Sequence, residues 1–165
     1  MAEQPNWSKL SFGSGADAAG CSSFGESWAE LSNDPVTGTN GKGSTIAFMR
    51  QLFAGHGRKT GSFTSPHMIS IHDRICINGQ PIASADFIRL GQQVQKMEQE
   101  LLKSHDQLSY FEILTLIAFL YFKEQAVDLA LIEVGIGGLL DTTNVITGDI
   151  AVISSVGLEP QETLG

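Results

Sequence analysis

The sequence predicts an α/β fold: a mostly parallel sheet of the phosphate-loop type, flanked by helices to give three layers. Three observations carry this. From Val36 onward, apolar strand candidates alternate with helical patterns, the signature of a layered sheet with right-handed crossovers. The run Val127–Val134 (VDLALIEV) has almost no polar interruption, as expected for a strand covered on both faces. A glycine-rich turn carrying a lysine, Thr37–Thr45, leads straight into a helix, an arrangement suited to holding phosphate.

Taken in order, residues 1–34 stand apart. FGSGADAAGCSSFGES is rich in Gly, Ser and Ala and suits a flexible segment, with a short helix conceivable at 26–31. Gly43–Gly55 reads as a helix with Ile46, Met49 and Phe53 on one face and Phe48 and Leu52 beside it. Lys59–Thr64 is a short strand, and Arg74–Asn78 a second that runs into the Asn78-Gly79 turn signal. Ser84 is read as the N-cap of a helix to about Lys103, with Phe87, Leu90, Val94, Met97 and Leu101 in one stripe. Tyr110–Glu124 is apolar on most faces and so a buried helix. Val127–Val134 and Ile150–Val156 complete the strands.

Composition bounds the function. The 165 residues suffice for one compact domain, and 42% apolar residues give it a core. A net charge of -8 argues against a nucleic-acid partner, yet leaves a local nucleotide pocket open. No apolar run is long enough to span a bilayer, and MAEQPNWSKL lacks the pattern of a secretory leader. Cys21 and Cys76 form neither a disulfide framework nor a metal spacing. They read as free thiols, and the chain as a cytoplasmic monomer without nucleic-acid or membrane partners.

The sharpest feature is Gly38-Thr39-Asn40-Gly41-Lys42-Gly43-Ser44-Thr45. Its glycines let the backbone wrap a phosphate with amides inward. The following helix adds its positive N-terminal end. Lys42 reaches outer phosphates and Ser44 can ligate Mg²⁺. The match to G-x-x-x-x-G-K-[ST] is imperfect: Val36 occupies the first glycine position, and Gly43 separates Lys42 from Ser44.

GTNGKGST is the form this loop takes in folylpolyglutamate and dihydrofolate synthases, relatives of the Mur ligases, and the resemblance continues. Thr64-Ser65-Pro66-His67 resembles the family's TSPH segment, and Asp73-Arg74-Ile75 with Ile77-Asn78-Gly79 its E-R-I-x-I-N-G stretch. Tyr110-Phe111-Glu112 with Thr115, Ala118 and Phe119 resembles its F-E-x-x-T-x-x-A-F helix. Glu133-Val134-Gly135-Ile136-Gly137-Gly138, Leu140-Asp141 and Asn144-Val145 resemble E-V-G-x-G-G-R-L-D-A-T-N-V. Gly157-Leu158 and Leu164-Gly165 resemble the ends of G-L-D-H-x-x-x-L-G.

The resemblance implies an incomplete central ATPase domain of the Mur-ligase type over 35–165, with the C-terminal glutamate-ligase domain absent. It also implies an ATP- and Mg²⁺-dependent ligase. The γ-phosphate would pass to a carboxylate of a folate or dihydropteroate, and the amine of L-glutamate would attack the acyl phosphate. Lys42 and Glu133 would carry catalysis, as positioning and charge neutralisation. Ser65 and Glu133 match family magnesium ligands, and Ser44 joins them as a metal ligand on the loop chemistry above. Glu133 ends a buried strand, where a carboxylate fits best beside a cation; otherwise it is a strand-end charge reaching solvent. Ser65 reads also as a turn hydroxyl, and His67 as a solvated loop histidine or a group at the substrate edge. Arg74 is either a substrate contact or half of a surface ion pair with Asp73. Glu112, inside an apolar helix, suggests a bound partner because an unpartnered buried carboxylate is costly. Asn144 orients a phosphate or ribose, or merely forms a turn.

Three departures stand out. Before the loop the family has a hydrophobic strand, whereas here Ser32-Asn33-Asp34-Pro35-Val36 contains a proline that cannot donate to a central ladder, so the loop is expected to lack its anchor. Glu159-Pro160 replaces the family's Asp-His pair, whose histidine ligates magnesium. Leu139 stands where an arginine is frequent. Two rival readings follow: a Mur-type ligase of cell-wall precursors, and a catalytically inactive nucleotide-binding fragment.

Overall fold

The computed structural model describes residues 32–101, 108–135 and 150–157. Cys21, the conceivable helix at 26–31, Leu139, Asn144, Glu159 and Pro160 lie outside them. Strand β1 (Asn33–Thr37) is followed by helix α1 (Lys42–Gly55), β2 (Thr60–Phe63), a 3₁₀ turn (Ile71–Arg74), β3 (Ile75–Ile77) and β4 (Gln80–Pro81). Then come α2 (Ser84–Leu101), α3 (Tyr110–Glu124), β5 (Leu129–Glu133) and β6 (Val152–Ile153). The sheet order is β4-β3-β2-β5-β1-β6. β2, β5, β1 and β6 run parallel, while β3 and β4 add antiparallel strands at one side. The predicted α/β class, mostly parallel and covered on both faces, is the fold observed.

β5 lies at the centre and its side chains alternate between two cores. Ala130 and Ile132 join Phe63, Ile75, Leu90, Val94, Ile117 and Phe122 beneath α2 and α3. Leu129 and Leu131 join Val36 and Ile46 beneath α1. This two-sided burial is why VDLALIEV reads as nearly continuous apolar sequence. Of the α1 residues, Ile46 is buried and Met49 and Phe53 pack beside it, but Phe48 and Leu52 are 73% and 67% exposed. In α2, Phe87, Leu90 and Val94 are buried, as their stripe predicts. Its first turn is set one residue earlier than expected: Phe87 N–H donates to Ala83 O, so Ala83, not Ser84, holds the cap position.

The expectation that the loop lacks its anchor is overturned. β1 is a central strand, with Val36 fully buried and paired with β5 and β6. Pro35 is tolerated for a geometric reason. Val36 O accepts from the Val134 N–H just past β5, and Thr37 O accepts from Ser154 beyond β6. Within a strand, alternate residues face alternate neighbours, so Pro35 faces β6. Among the described residues pairing with β6 starts only at Val152, opposite Val36, so Pro35 sits before that ladder begins. Asp34 adds a side-chain bond there, its Oδ1 accepting from Ile150 N–H at 3.2 Å. The strand expected over Ile150–Val156 is correspondingly short. Its pairing stops at Ile153 because the next residues turn over the phosphate loop.

Candidate active site

β2, β5 and β1 are neighbours and parallel, so their carboxyl ends lie side by side. There the loop after β1, Glu133 at the end of β5 and Ser65 after β2 converge, the place where open α/β sheets hold ligands. The loop takes its shape at two glycines, Gly38 (φ +131°) and Gly41 (φ +84°), in backbone conformations that a side chain disfavours. α1 begins at Lys42, one residue before the expected start. Its first bond runs from Thr45 N–H to Gly41 O at 2.9 Å, leaving the amides of Lys42, Gly43 and Ser44 without partners inside the helix. Thr45 Oγ1 also donates to Gly41 O, at 2.8 Å, so this hydroxyl serves the helix start. The Lys42 ammonium bends back over the loop and donates to Gly38 O at 2.8 Å. Ser44 is exposed.

Glu133 is the electrostatic centre. Its side chain is buried and Oε2 accepts the Ser65 N–H at 3.0 Å. A methyl group added to Gly43 would lie 3.9 Å from the same oxygen, so the start of α1 reaches to just beside the carboxylate. Burial pushes the Glu133 carboxyl above its ordinary range, against the opposing pull of the Ser65 amide, Lys42 and Arg74. A buried carboxylate whose charge its surroundings compensate only in part is suited to a cation. Among the described residues no group of three His, Cys, Asp or Glu gathers as a metal cage. Glu133 with the hydroxyls of Ser44 and Ser65 would offer oxygen donors of the kind Mg²⁺ takes, one or two carboxylates with water and phosphate oxygens completing its shell.

Around this centre the loop from Ser65 to Arg74 is tied to itself. The Ser65–Pro66 peptide is cis. Arg74 Nε donates to His67 Nδ1 at 3.0 Å, and the guanidinium lies 5.9 Å from the centre of the Tyr110 ring. Asp73 accepts instead from the Ile69 and Ser70 amides, at 3.2 and 2.9 Å. Among the described residues no ion pair joins Asp73 to Arg74. Glu112 has found its partner within its own helix: Oε2 accepts the Ser109 N–H while Ser109 Oγ accepts the Glu112 N–H, a capping box. Its burial therefore requires no ligand, which corrects the reason for reading it as a substrate contact.

The residues missed in the sequence are Ser154 and Ser155. They turn back from β6 onto the phosphate loop, with both hydroxyls on Asn40 O at 2.7 and 2.9 Å. The one available signal was a Ser-Ser pair closing an otherwise apolar strand. Loop and fold together define a class, an α/β domain with a phosphate-loop-type turn after its first strand.

The family is more particular. The chain is 43% identical over 136 residues to the mitochondrial folylpolyglutamate synthase of Cricetulus griseus, matching 79% of this chain and 23% of that protein. It is 42% identical over 132 residues to the dihydrofolate synthase/folylpolyglutamate synthase of Bacillus subtilis, 79% of this chain and 31% of the other. A bifunctional folylpolyglutamate synthase/dihydrofolate synthase solved with Mn, AMPPNP and L-glutamate bound superimposes with a TM-score of 0.82 at 29% identity, over 96% of this chain and 38% of that one. No family model matches the chain. The chain belongs to the folylpolyglutamate synthase/dihydrofolate synthase family, and spans less than a third of the length of these two named relatives.

Proposed function

We propose that this chain is the ATP-binding part of a ligase that adds L-glutamate to a folate or dihydropteroate through an acyl phosphate. The observation that carries it is the convergence of the phosphate loop, the buried Glu133 carboxylate and the Ser65 amide at three adjacent strand ends. In this reading Gly38, Thr39, Asn40, Gly41, Lys42, Gly43, Ser44 and Thr45 shape the phosphate cradle. The free amides at the start of α1 face the phosphate oxygens, and Lys42 leaves Gly38 O to meet the outer phosphates. Glu133, Ser44 and Ser65 would hold Mg²⁺, which when bound would neutralise phosphate charge. Arg74 holds His67 at the substrate edge, and Asn144 orients the nucleotide. ATP, the pterin substrate and L-glutamate are the partners, bound by a cytoplasmic monomer. Support comes from the relatives' names and from the nucleotide, metal and glutamate in the solved relative. Among the described residues no helix is long and apolar enough to cross a membrane. A second reading, nucleotide binding without turnover, is favoured by Pro160 standing where the resemblance places a metal-binding histidine.

Calorimetric titration with Mg²⁺-ATP tests the proposal. The chain should bind saturably, and Lys42→Ala should weaken binding at least about tenfold, since it removes a charge-assisted contact to phosphate. Equal affinity in the two proteins would overturn it. If binding holds, turnover of dihydropteroate or folate with L-glutamate separates the first reading from the second.

A further inference from the structure

We infer that Ser154 and Ser155 are positioning residues that lock the Asn40–Gly41 peptide so that the Gly41 amide faces bound phosphate. The inference rests on the reading of this loop as a nucleotide site.

Ser154 Oγ lies 2.7 Å from Asn40 O and 3.1 Å from Thr37 O, and its single proton goes to the nearer oxygen. Ser155 Oγ donates to the same Asn40 O at 2.9 Å and accepts the Asn40 N–H at 3.3 Å. Ser155 O accepts the Thr39 N–H at 2.7 Å, and Gly157 N–H donates to Thr39 Oγ1 at 2.9 Å. The approach is so close that a methyl group on Gly38 would collide with Ser154 Oγ and lie 2.7 Å from Ser155 O. Gly38 is thus required by the serine pair as well as by its own φ.

Two consequences follow. The Thr39 and Asn40 amides are spent on β6's exit, so these two residues shape the loop while the amides left for phosphate begin at Gly41. In a planar trans peptide the C=O and the following N–H point in opposite directions. Two hydroxyls drawing the Asn40 carbonyl toward β6 therefore turn the Gly41 N–H away from β6 and into the loop. Glycine takes either sign of φ at little cost, so without the serines this peptide is free to invert. Inversion would point a carbonyl oxygen at the phosphates, where the negative ends repel.

The test uses the full chain with Ser154→Ala, Ser155→Ala and the double variant. Affinities for Mg²⁺-ATP and for inorganic tripolyphosphate are measured by calorimetry. The residual dipolar coupling of the Gly41 N–H is measured without ligand. Each single variant leaves one hydroxyl on Asn40 O and should cost threefold or less. The double variant should lose tenfold or more for both ligands and show a changed Gly41 N–H orientation. Ser154→Ala/Ser155→Thr, with one hydroxyl restored, should return to within threefold of the parent. An unmoved Gly41 N–H in the double variant overturns the lock whatever the affinity. A moved N–H with parental affinity overturns its role in binding. If the parent binds neither ligand, the nucleotide reading fails, and the Gly41 coupling still decides whether the serines set the peptide. Should the double variant not fold, Ser154→Ala/Ser155→Cys, with a weaker donor of similar size, carries the same two measurements.

Discussion

Glu133 is costly to the fold, and the proposed metal-binding role gives that cost a purpose. Burial raises its carboxyl, so in the ligand-free protein the charged form is the disfavoured one. The sign follows from linkage. With the folded value above the unfolded one, the stabilising contribution is fully present below the ordinary value of 4.5 and is lost as pH rises through the folded value. Glu133→Gln keeps an oxygen for the Ser65 N–H and removes the charge. It should stabilise the ligand-free chain at pH 7 by about 1 kcal/mol, the scale of relief at functional sites, with the gap closing toward pH 4. The same variant should weaken Mg²⁺-dependent ATP binding. Denaturant melts at the two pH values check the first effect, and titrations with and without Mg²⁺ the second.

At the scale of elements, α3 is fixed by its first turn and its apolar faces. Ser109 and Glu112 close the N-terminus with two reciprocal bonds, while Ile117, Ala118, Phe119 and Phe122 are all but fully buried. Ser109→Ala should lower stability by about 1 kcal/mol, as loss of an N-cap does. Glu112→Gln preserves the acceptor and should leave Mg²⁺-ATP affinity unchanged. A large loss of affinity in Glu112→Gln, with stability intact, would show that Glu112 serves the site as well as the helix start. Urea denaturation and calorimetry on the two variants distinguish these outcomes. Between elements, Arg89 of α2 forms a bidentate pair with Glu124 of α3, at 3.0 and 2.6 Å. This pair and the shared core hold both helices to the same sheet face, behind the site.

For the whole molecule, the apolar surface is uneven. Phe48 and Leu52 on α1, Met68 and Ile69 on the loop after β2, and Ile153 and Val156 around β6 are exposed large side chains. Among the described residues β6 pairs with β1 alone, and a strand edge without a partner is prone to association. Phe48→Gln/Leu52→Gln should raise the concentration at which light scattering appears, severalfold, and leave Mg²⁺-ATP affinity within about twofold, because both side chains are largely exposed. An unchanged scattering threshold would show that this face plays no part in association.

The α/β class, the helices of α1, α2 and α3 and the central β5 were legible in the sequence because local patterning encodes them: period 3.6 on the helices, unbroken apolar residues on β5. The tight turn between β1 and α1 was legible because glycines at Gly38 and Gly41 permit its positive-φ backbone. What patterning hid was set by neighbours distant in sequence. Pro35 looked incompatible with a central strand until the pairing showed it facing β6 before that strand begins. Glu112 is a different case: its partner is local, and Ser109-x-x-Glu112 ahead of an apolar run is the sequence sign of the capping box that satisfies it. Ser154 and Ser155 carry no chemistry of their own in the sequence. They matter because β6 lies against β1, more than a hundred residues away, and its exit has nowhere to go but across the loop. The sequence by itself determined which elements form and which loop could bind phosphate, since those depend on propensity and periodicity. Only the tertiary structure decided which backbone groups of that loop are free and what lies beside Glu133, since those depend on register between strands far apart in the chain.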